Sequence, residues 1–268
     1  MIPLKIKHGK LSKAELTILV TNDDGITAPG IKNLISVVRD LGKIVVVAPD
    51  SPQSGMGHAV TITQPIRLEK LDLFKGIESY QCSGTPADCV KVAVDQVLHR
   101  KPDLVVSGIN HGSNASINVL YSGTMSAAME GAIEGIPSIG FSLTDYSRDA
   151  DFTHGLPFMR KIILNTIHNG LPEGVLLNVN IPTPEDGIIK GIKICRQAKA
   201  KWEENFAERT DPHGRNYYWM VGIFKDYDHG EDTDLNALNK GYISIVPTLF
   251  DLTAHHFMMN LNSWDLNE

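Results

Sequence analysis

The stretch from Thr17 to Gly25 reads Thr-Ile-Leu-Val-Thr-Asn-Asp-Asp-Gly and decides the fold. Its β-prone residues lead into a polar turn, which is typical of a buried parallel strand whose carboxyl end opens at the edge of a sheet. The carboxylates of Asp23 and Asp24 are adjacent there, and two like charges held a few Å apart raise each other's pKa. The stretch therefore predicts a bound cation or a shared proton at this strand end.

The residues that follow predict that this strand lies in a doubly wound, mostly parallel α/β sheet. Pro29 opens a segment with apolar residues at helical spacing, and residues 43–49 form a second short apolar strand. Strand, helix and strand in such a short span make a right-handed βαβ unit. Further strands are predicted at residues 102–107, 137–142 and 175–180, and the last is expected to close the core sheet.

A different pattern interrupts this alternation. Three short segments with alternating apolar residues, at residues 59–63, 66–69 and 78–82, predict a small antiparallel excursion at one end of the sheet. A helix is then predicted from Thr85, as its cap, to about His99.

Composition divides the chain into three parts. Residues 1–15 are predicted to be an N-terminal extension, since they lack the apolar stretch and the cleavage site of a signal peptide. Residues 16–182 form the predicted core. Residues 183–268 carry two strands, at 192–195 and 242–247, an aromatic β-hairpin arm and a polar tail. Such an arm either joins subunits or packs on its own core, and the residues favour neither alternative.

The composition excludes several classes of protein. With 268 residues and a formal net charge of −6, the chain presents no basic field, so no stable nucleic acid partner is expected. Its apolar runs are too short to cross a bilayer, so no membrane partner is expected. Three cysteines without a C-x-x-C pair leave at least one thiol unpaired, which favours a reducing, cytoplasmic location.

Polar residues cluster where the predicted parallel strands end. In parallel α/β sheets these carboxyl ends meet at one edge, and ligands bind there. The polar residues at this edge are Asp23, Asp24, Ser54, Asn110, Asn114, Ser122 and Thr124. Carboxylate, amide and hydroxyl oxygens suit Mg²⁺ or Mn²⁺ and suit Zn²⁺ poorly. The backbone amides at residues 122–125, at the start of a helix, suit a phosphate, so the combination indicates phosphoryl chemistry.

Each of these features also has a simpler interpretation. Asn-Asp-Asp-Gly alone is most often a turn that bonds to its own backbone, and Ser122 is most often a helix cap. We expect His58, His111 and His213 to be surface or hydrogen-bonded histidines, because no ligand-type spacing accompanies them. The occurrence of several such features at one sheet edge nevertheless favours a functional site.

Five motifs follow one another along the chain. They are Ile18–Gly25, Val47–Asp50 with Ser54, Gly57 and His58, Ser83–Val90, Ser107–Asn110 with Gly112 and Asn114, and Tyr121–Thr124 with Ala127, Ala128, Glu130 and Gly131. In this order they resemble the SurE (stationary-phase survival protein) family of metal-dependent nucleotidases. The similarity continues through Trp202, Glu208, Arg209, Asp211, Pro212, Tyr217–Trp219, Gly241 and Tyr242, to about residue 254.

The resemblance implies one divalent metal ion per subunit, Mg²⁺ or Mn²⁺, with the ligands Asp23, Asp24, Ser54 and Asn110. It implies a Rossmann-like core, and a C-terminal arm exchanged between the subunits of a homodimer or homotetramer. The implied activity is hydrolysis of nucleoside 5′- and 3′-monophosphates, and in some members of short polyphosphate.

On this hypothesis Asp23 and Asp24 are the catalytic residues, and either water or Asp23 attacks phosphorus. The phosphoryl oxygens would be held by five residues: Asn114, Ser122, Gly123, Thr124 and Ser126.

The chain departs from the family pattern at two positions, and two alternative functions remain open. Ser116 stands where the family usually has glycine, which restricts the loop if the position needs a positive φ, and Met125 stands where the family usually has valine. One alternative is a phosphotransferase or glycosyltransferase that holds a nucleotide through the metal. The other is a metal-free nucleotide-binding module, since fold does not determine function.

Overall fold

The computed structural model of the chain describes residues 16–147 and 149–266, so the predicted extension at residues 1–15 lies outside the described residues. The strands are β1 (Thr17–Thr21), β2 (Lys43–Pro49), β3 (Leu68–Leu71), β4 (Glu78–Cys82), β5 (Leu104–His111), β6 (Ser138–Leu143), β7 (Val175–Ile181), β8 (Ile192–Ile194), β9 (Ala200–Thr210), β10 (Asn216–Asp226) and β11 (Ile243–Leu249). The helices are α1 (Pro29–Val38), α2 (Pro86–Val92), α3 (Gly123–Ile133), α4 (Leu156–Asn169), α5 (Asp234–Asn239) and α6 (His255–Leu261). A π-helical segment (Ala93–Leu98) extends α2, and 3₁₀ turns span Ser116–Leu120 and Thr153–Gly155.

Nine strands form the main sheet, in the order β3-β4-β2-β1-β5-β6-β7-β11-β8. Neighbouring strands are parallel except in the pairs β3–β4 and β7–β11. The predicted doubly wound, mostly parallel α/β fold is therefore confirmed.

Helices cover both faces of this sheet. Ile18 and Val20 of β1 pack in the core on the side of α1 and α4, whereas Leu19 packs in the core beneath α2 and α3. Strands buried on both faces favour apolar residues on both sides, which is why residues 18–20 of β1 and 44–49 of β2 are all apolar. The predicted start of α2 is also correct. Thr85 Oγ1 accepts from Asp88 N at 3.2 Å, and Asp88 Oδ2 accepts from Thr85 N at 2.9 Å, which forms a capping box.

Three predictions about strands were wrong. Residues 59–63 form a loop, because Thr61 N donates to the Asp88 carboxylate at 3.1 Å and makes no strand pairing. β4 pairs parallel with β2, so it extends the main sheet, and only β3 is antiparallel to it. β7 does not close the sheet either, since β11 pairs with it in antiparallel register and β8 follows.

β9 and β10 form a separate two-stranded antiparallel sheet, and we call residues 200–226 the arm. The predicted hairpin is thus present. Its apolar side chains are exposed within this chain: Trp219 is 64% and Ile223 72% exposed. The tail is not purely polar, because it forms α6 with Met259 81% exposed. In residues 16–147 and 149–266, no helix is both long and apolar enough to cross a membrane.

Candidate metal and phosphate site

The carboxyl ends of β1, β2 and β5 meet at one edge of the sheet, where the strand order reverses. β1 has β2 on one side and β5 on the other, and both pairs are parallel. The turn after β1 carries Asp23 and Asp24, the loop after β2 carries Ser54, and β5 ends with Asn110 and His111. Ligands of open α/β sheets bind in the crevice at such a reversal.

Asp23 is held against the start of α3. Its side chain is buried, and the Thr124 hydroxyl donates a short hydrogen bond to Asp23 Oδ1. Gly123 lies so close that a Cβ atom at this position would stand 2.7 Å from Asp23 Cβ. Burial and, second, the charge of Asp24 raise the pKa of Asp23 to about 6, although hydrogen bonds from Thr124 lower it in part. An ionised Asp23 is therefore costly without a nearby cation.

Asp24 is half-buried and faces the end of β5. Burial raises the pKa of its carboxyl group, while the charge and the backbone amide of His111 lower it in part. The turn itself is stabilised by Asn22, whose Nδ2 donates to Gly25 O at 2.9 Å. Asp24 Oδ2 is buried, and no donor among the described residues satisfies it.

Buried polar atoms without partners concentrate at this edge. In the described part of the chain, seven buried side-chain nitrogen and oxygen atoms have no hydrogen-bond partner. Five of them belong to the end of β1, the turn after it, and β5: Thr21 Oγ1, Asn22 Oδ1, Asp24 Oδ2, Ser107 Oγ and His111 Nε2. An unpaired buried polar atom costs about 1–3 kcal/mol. This concentration indicates a place built to hold a polar ligand.

The loop after β2, which carries Ser54, is fastened to the same place. Gln53 N donates to the Asp23 backbone oxygen at 2.7 Å, and Gly57 N donates to the Tyr121 backbone oxygen at 3.0 Å. Ser54 itself is exposed. Ser54 therefore directly follows the residue that contacts Asp23, and it lies on the solvent side of the site.

An ion-pair network around the buried carboxylate of Glu130 anchors this loop through His58. His58 Nε2 lies 2.9 Å from Glu130 Oε2, and Lys91 Nζ lies 2.6 Å from Glu130 Oε1. Burial raises the pKa of Glu130, but the hydrogen bonds from His58 and Lys91 outweigh it and hold the pKa below its ordinary value. Sequence reasoning missed this network because His58 and Glu130 are 72 residues apart and no motif spacing marks them as partners.

A β-bulge in β5 places Asn110. Its pairing with β6 shifts between Ser107 and Asn110, and bulges re-aim side chains next to sites. Asn110 Nδ2 donates to the backbone oxygens of His111 at 3.1 Å and Gly112 at 2.8 Å. Because the amide nitrogen is occupied, Asn110 Oδ1 is the side-chain atom left for a ligand.

Asn114 is fixed by asparagines of β7. Asn114 N donates to Asn180 Oδ1 at 2.8 Å, and Asn178 Nδ2 donates to Asn114 O at 2.9 Å. The side-chain nitrogen of Asn114 donates to Ser142 Oγ at 2.7 Å. Sequence reasoning missed these three partners, although two asparagines alternating with apolar residues in β7 were a signal that one face of that strand is polar.

The hydroxyl groups of Ser122 and Ser126 stabilise the start of α3. Ser122 Oγ accepts from Met125 N at 3.0 Å, and Ser126 Oγ donates to Gly123 O at 2.7 Å. One of the amides expected for phosphate, that of Met125, is thus occupied by the cap. The positive end of the helix dipole still points toward the site.

Ser116 adopts a left-handed backbone conformation with φ 56°. This conformation costs a residue other than glycine roughly 1–2 kcal/mol. Ser116 N donates to Asp234 Oδ2 at 2.7 Å, Ser116 Oγ donates to Ala198 O at 2.9 Å, and Ala200 N donates to Ser116 Oγ at 3.2 Å. The position thus has the positive φ that would favour glycine, and the serine hydrogen bonds offset the strain.

The donors at this edge fit a hard divalent cation. Among the residues that the structure describes, no group of three or more His, Cys, Asp and Glu side chains could hold a metal ion. A cation at Asp23 and Asp24 would therefore need the amide of Asn110 and the hydroxyl of Ser54 as well. Two carboxylates with raised pKa and an unsatisfied Oδ2 atom are what such an ion would stabilise.

Comparison with known proteins agrees with the motifs. A family model described as Survival protein SurE matches residues 18–204, more than half of the chain. The 5′-nucleotidase SurE of Christiangramia forsetii is 60% identical over 260 residues, which cover 96% of this chain and 100% of that protein. The 5′-nucleotidase SurE of Cytophaga hutchinsonii is 62% identical over 246 residues, or 91% of this chain and 95% of that protein.

A solved structure shares the architecture. The crystal structure of the SurE protein from Aquifex aeolicus superposes with a TM-score of 0.79 at 40% identity, and the match covers 92% of this chain and 98% of that one. Family model, relatives and solved structure thus agree over the strand-end motifs and the sheet that carries them, and the chain belongs to the SurE family.

Proposed function

We propose that this chain is a metal-dependent phosphomonoesterase that hydrolyses nucleoside 5′-monophosphates to nucleoside and phosphate. The observation that carries the proposal is the carboxylate pair Asp23 and Asp24, both with raised pKa, beside the N-terminus of α3. The relatives named 5′-nucleotidase SurE support the substrate class. The proposal includes nucleoside 3′-monophosphates and short polyphosphate as further substrates.

Asp23, Asp24, Ser54 and Asn110 would hold one divalent ion per subunit, Mg²⁺ or Mn²⁺. When bound, such an ion offsets the negative charge that develops on the phosphoryl oxygens. Thr124 orients Asp23, and two backbone oxygens orient the Asn110 amide, so these donors are in place before substrate arrives.

The phosphoryl group would lie between the loop after β5, which carries Asn114, and the start of α3. We expect Asn114, Ser122, Gly123, Thr124 and Ser126 to line this position, and the positive end of the helix dipole favours an anion there. Asn114 is rigid because its backbone is bonded from both sides by β7.

Asp23 and Asp24 are the proposed catalytic carboxylates, and either water or Asp23 attacks phosphorus. Acid quenching of the enzyme during turnover of a ³²P-labelled monophosphate separates these alternatives. A labelled acyl phosphate at Asp23 identifies the carboxylate as the nucleophile, and its absence under single-turnover sampling identifies water.

The experiment that tests the function is phosphate release from nucleoside 5′- and 3′-monophosphates and short polyphosphate. We expect EDTA to abolish release from 5′-monophosphates and Mg²⁺ or Mn²⁺ to restore it. No release from any monophosphate with either metal would refute the proposal. Transfer of phosphate to an alcohol acceptor in preference to water would favour a phosphotransferase.

We further propose a homodimer or homotetramer joined through the arm, and a cytoplasmic location. Exposed apolar side chains on the arm support the first, and three free cysteines among the described residues support the second. The division after residue 182 is likewise proposed, as the point where the chain leaves β7 and goes on to form the arm. Two later strands, β8 and β11, return to the main sheet.

A further inference from the structure

A cavity of about 340 Å³ lies between the arm and the loop that carries Ser54. Its lining includes Gly55, Tyr121, Trp202, Glu204, Met220 and Gly222. Trp202 and Glu204 alternate on one face of β9, and Met220 and Gly222 alternate on β10. The cavity is thus a mainly apolar space with two aromatic rings and one carboxylate.

This cavity adjoins the proposed phosphate site. Gly55 directly follows Ser54, and Tyr121 directly precedes Ser122 at the cap of α3. The two walls are joined by the hydrogen bond from Gly57 N to the Tyr121 backbone oxygen, at 3.0 Å. A ligand whose phosphate lies at the start of α3 therefore extends directly into this space.

Trp202 is fixed in place before any ligand binds. Its indole Nε1 donates to Asn118 Oδ1 at 2.9 Å, and its ring lies 5.3 Å from that of Phe224 across the hairpin. The start of β9 is bonded to the 3₁₀ turn that begins at Ser116, because Ala200 N donates to Ser116 Oγ at 3.2 Å. With 38% of Trp202 exposed, a rigid aromatic surface remains open to a ligand.

We propose that this cavity binds the nucleobase of the substrate, and that Trp202 and Tyr121 provide its stacking surfaces. The inference rests on the proposed function and adds a base subsite to it. Its volume is at the small end of ligand pockets, which suits a planar base and part of a ribose. Bases stack on aromatic side chains whatever their identity, so the subsite confers recognition of nucleotides as a class.

Glu204 adds a polar group to this subsite. It has no hydrogen-bond or ion-pair partner among residues 16–147 and 149–266. Its carboxylate can accept a hydrogen bond from an N–H group of a base, and its negative charge disfavours a second phosphate at the arm end of the cavity. A nucleotide is therefore oriented with its phosphate at α3 and its base at the arm.

Fluorescence tests the subsite without requiring turnover. The chain has three tryptophans, so the full-length double variant Trp219→Phe/Trp264→Phe retains only Trp202 as an indole reporter. We expect adenosine 5′-monophosphate, with EDTA present, to quench this emission saturably, and ribose 5-phosphate to leave it unchanged. No saturable quenching by the nucleotide at millimolar concentration would overturn the subsite even if the wild type hydrolyses it.

Kinetics provide a second test. In Trp202→Ala, we expect the ratio of kcat/KM for adenosine 5′-monophosphate to that for ribose 5-phosphate to fall about tenfold, mainly through KM. Trp202→Phe should keep most of this ratio, because phenylalanine keeps a stacking surface although it loses the hydrogen bond to Asn118. Trp219→Ala, on the other face of the arm, is the matched control and should keep the wild-type ratio.

The possible results separate the two proposals. An equal loss of kcat/KM on both substrates in Trp202→Ala would assign Trp202 a structural role and refute the subsite. Occupation of the cavity by a second copy of the chain would also refute the subsite. A wild type without phosphatase activity that still shows nucleotide-dependent quenching would refute the proposed function and retain the base site.

Discussion

Asp23 and Asp24 set the electrostatics of this site at the scale of single residues. Asp23 is buried, and its pKa is raised to about 6 by burial first and by the charge of Asp24 second. The folded protein binds this proton more tightly than the unfolded chain does. Its stability without metal therefore falls as the pH rises through the window between about 4 and 6, and it stays lower above that window.

Replacing Asp23 by asparagine separates this stability cost from function. At pH 7.5 in EDTA, we expect Asp23→Asn to raise the free energy of unfolding by about 1–3 kcal/mol, because a buried ionised carboxylate is removed. The same variant should lose phosphate release with Mn²⁺ present. Urea unfolding and phosphate assays measure the two effects. The increase in the free energy of unfolding should be smaller at pH 4.5. Near-native turnover would contradict the site assignment.

Glu130 shows the opposite pH behaviour. Because His58 and Lys91 hold its pKa below the ordinary value, its stabilising contribution is present above about pH 4.3 and is lost as the pH falls through the lowered pKa. We expect Glu130→Gln to lower the free energy of unfolding at pH 7 by about 1–3 kcal/mol, with a smaller difference at pH 3.5. Denaturant titrations at the two pH values measure this.

A control for Glu130→Gln lies just beyond the end of the same helix. Glu134 pairs with Lys101 at 3.5 Å on the surface, and such pairs contribute about 0–1 kcal/mol. Glu134→Gln should therefore change stability little at either pH. An equal effect of the two substitutions would contradict a special role for the buried Glu130 carboxylate.

At the scale of elements, the contact between α3 and the end of β1 positions the site. Gly123 opens α3, and a Cβ atom there would lie 2.7 Å from Asp23 Cβ and 3.0 Å from Asp23 Oδ2. Only a residue without a side chain lets the helix start approach the carboxylate this closely. This close approach also brings the positive end of the helix dipole near Asp23 and lets the Thr124 hydroxyl donate to its carboxylate.

Gly123→Ala tests this close contact. Alanine normally stabilises a helix relative to glycine, but here the overlap with Asp23 should dominate. We expect a loss of about 1–3 kcal/mol in stability and a drop of roughly a hundredfold in kcat/KM for a monophosphate. Ile133→Ala, at the exposed end of α3, is the control. Unchanged kinetics in Gly123→Ala would show that α3 need not touch Asp23.

At the scale of the whole molecule, the arm presents apolar side chains that this chain does not bury. Trp219, Val221 and Ile223 alternate along one face of β10, and all three are exposed. Contiguous apolar surface of this kind marks an interface with another protein or copy. The opposite face of the arm, together with Val221, lines the proposed base subsite, so the proposed assembly and the proposed base binding would use the same element.

Charge substitutions test the assembly. We expect Trp219→Glu/Ile223→Glu to reduce the molar mass measured by light scattering after size exclusion, because burying two carboxylates in an interface is unfavourable. Leu164→Glu/Ile188→Glu adds the same charge at exposed positions outside the arm and should leave the mass unchanged. A wild type that is itself monomeric at micromolar concentration would contradict assembly through the arm.

Much of this architecture follows from local sequence. The apolar runs of β1 and β2 and the helix cap at Thr85 are recognised within short windows, because strand and helix periods and capping bonds involve neighbouring residues. Parallel strands bring their carboxyl ends to one edge, so Asp23, Asp24 and Asn110 could be predicted to lie at neighbouring strand ends.

What the sequence by itself determined is thus the α/β alternation and the polar residues at one sheet edge, since both depend on local periodicity and chain direction. The tertiary structure alone decided the antiparallel docking of β11 on β7, the contact of Glu130 with His58, and the asparagine bonds to Asn114. These depend on pairs of residues far apart in the chain. Their meeting is determined by how whole elements pack, because no local pattern specifies which distant partner satisfies a buried polar group.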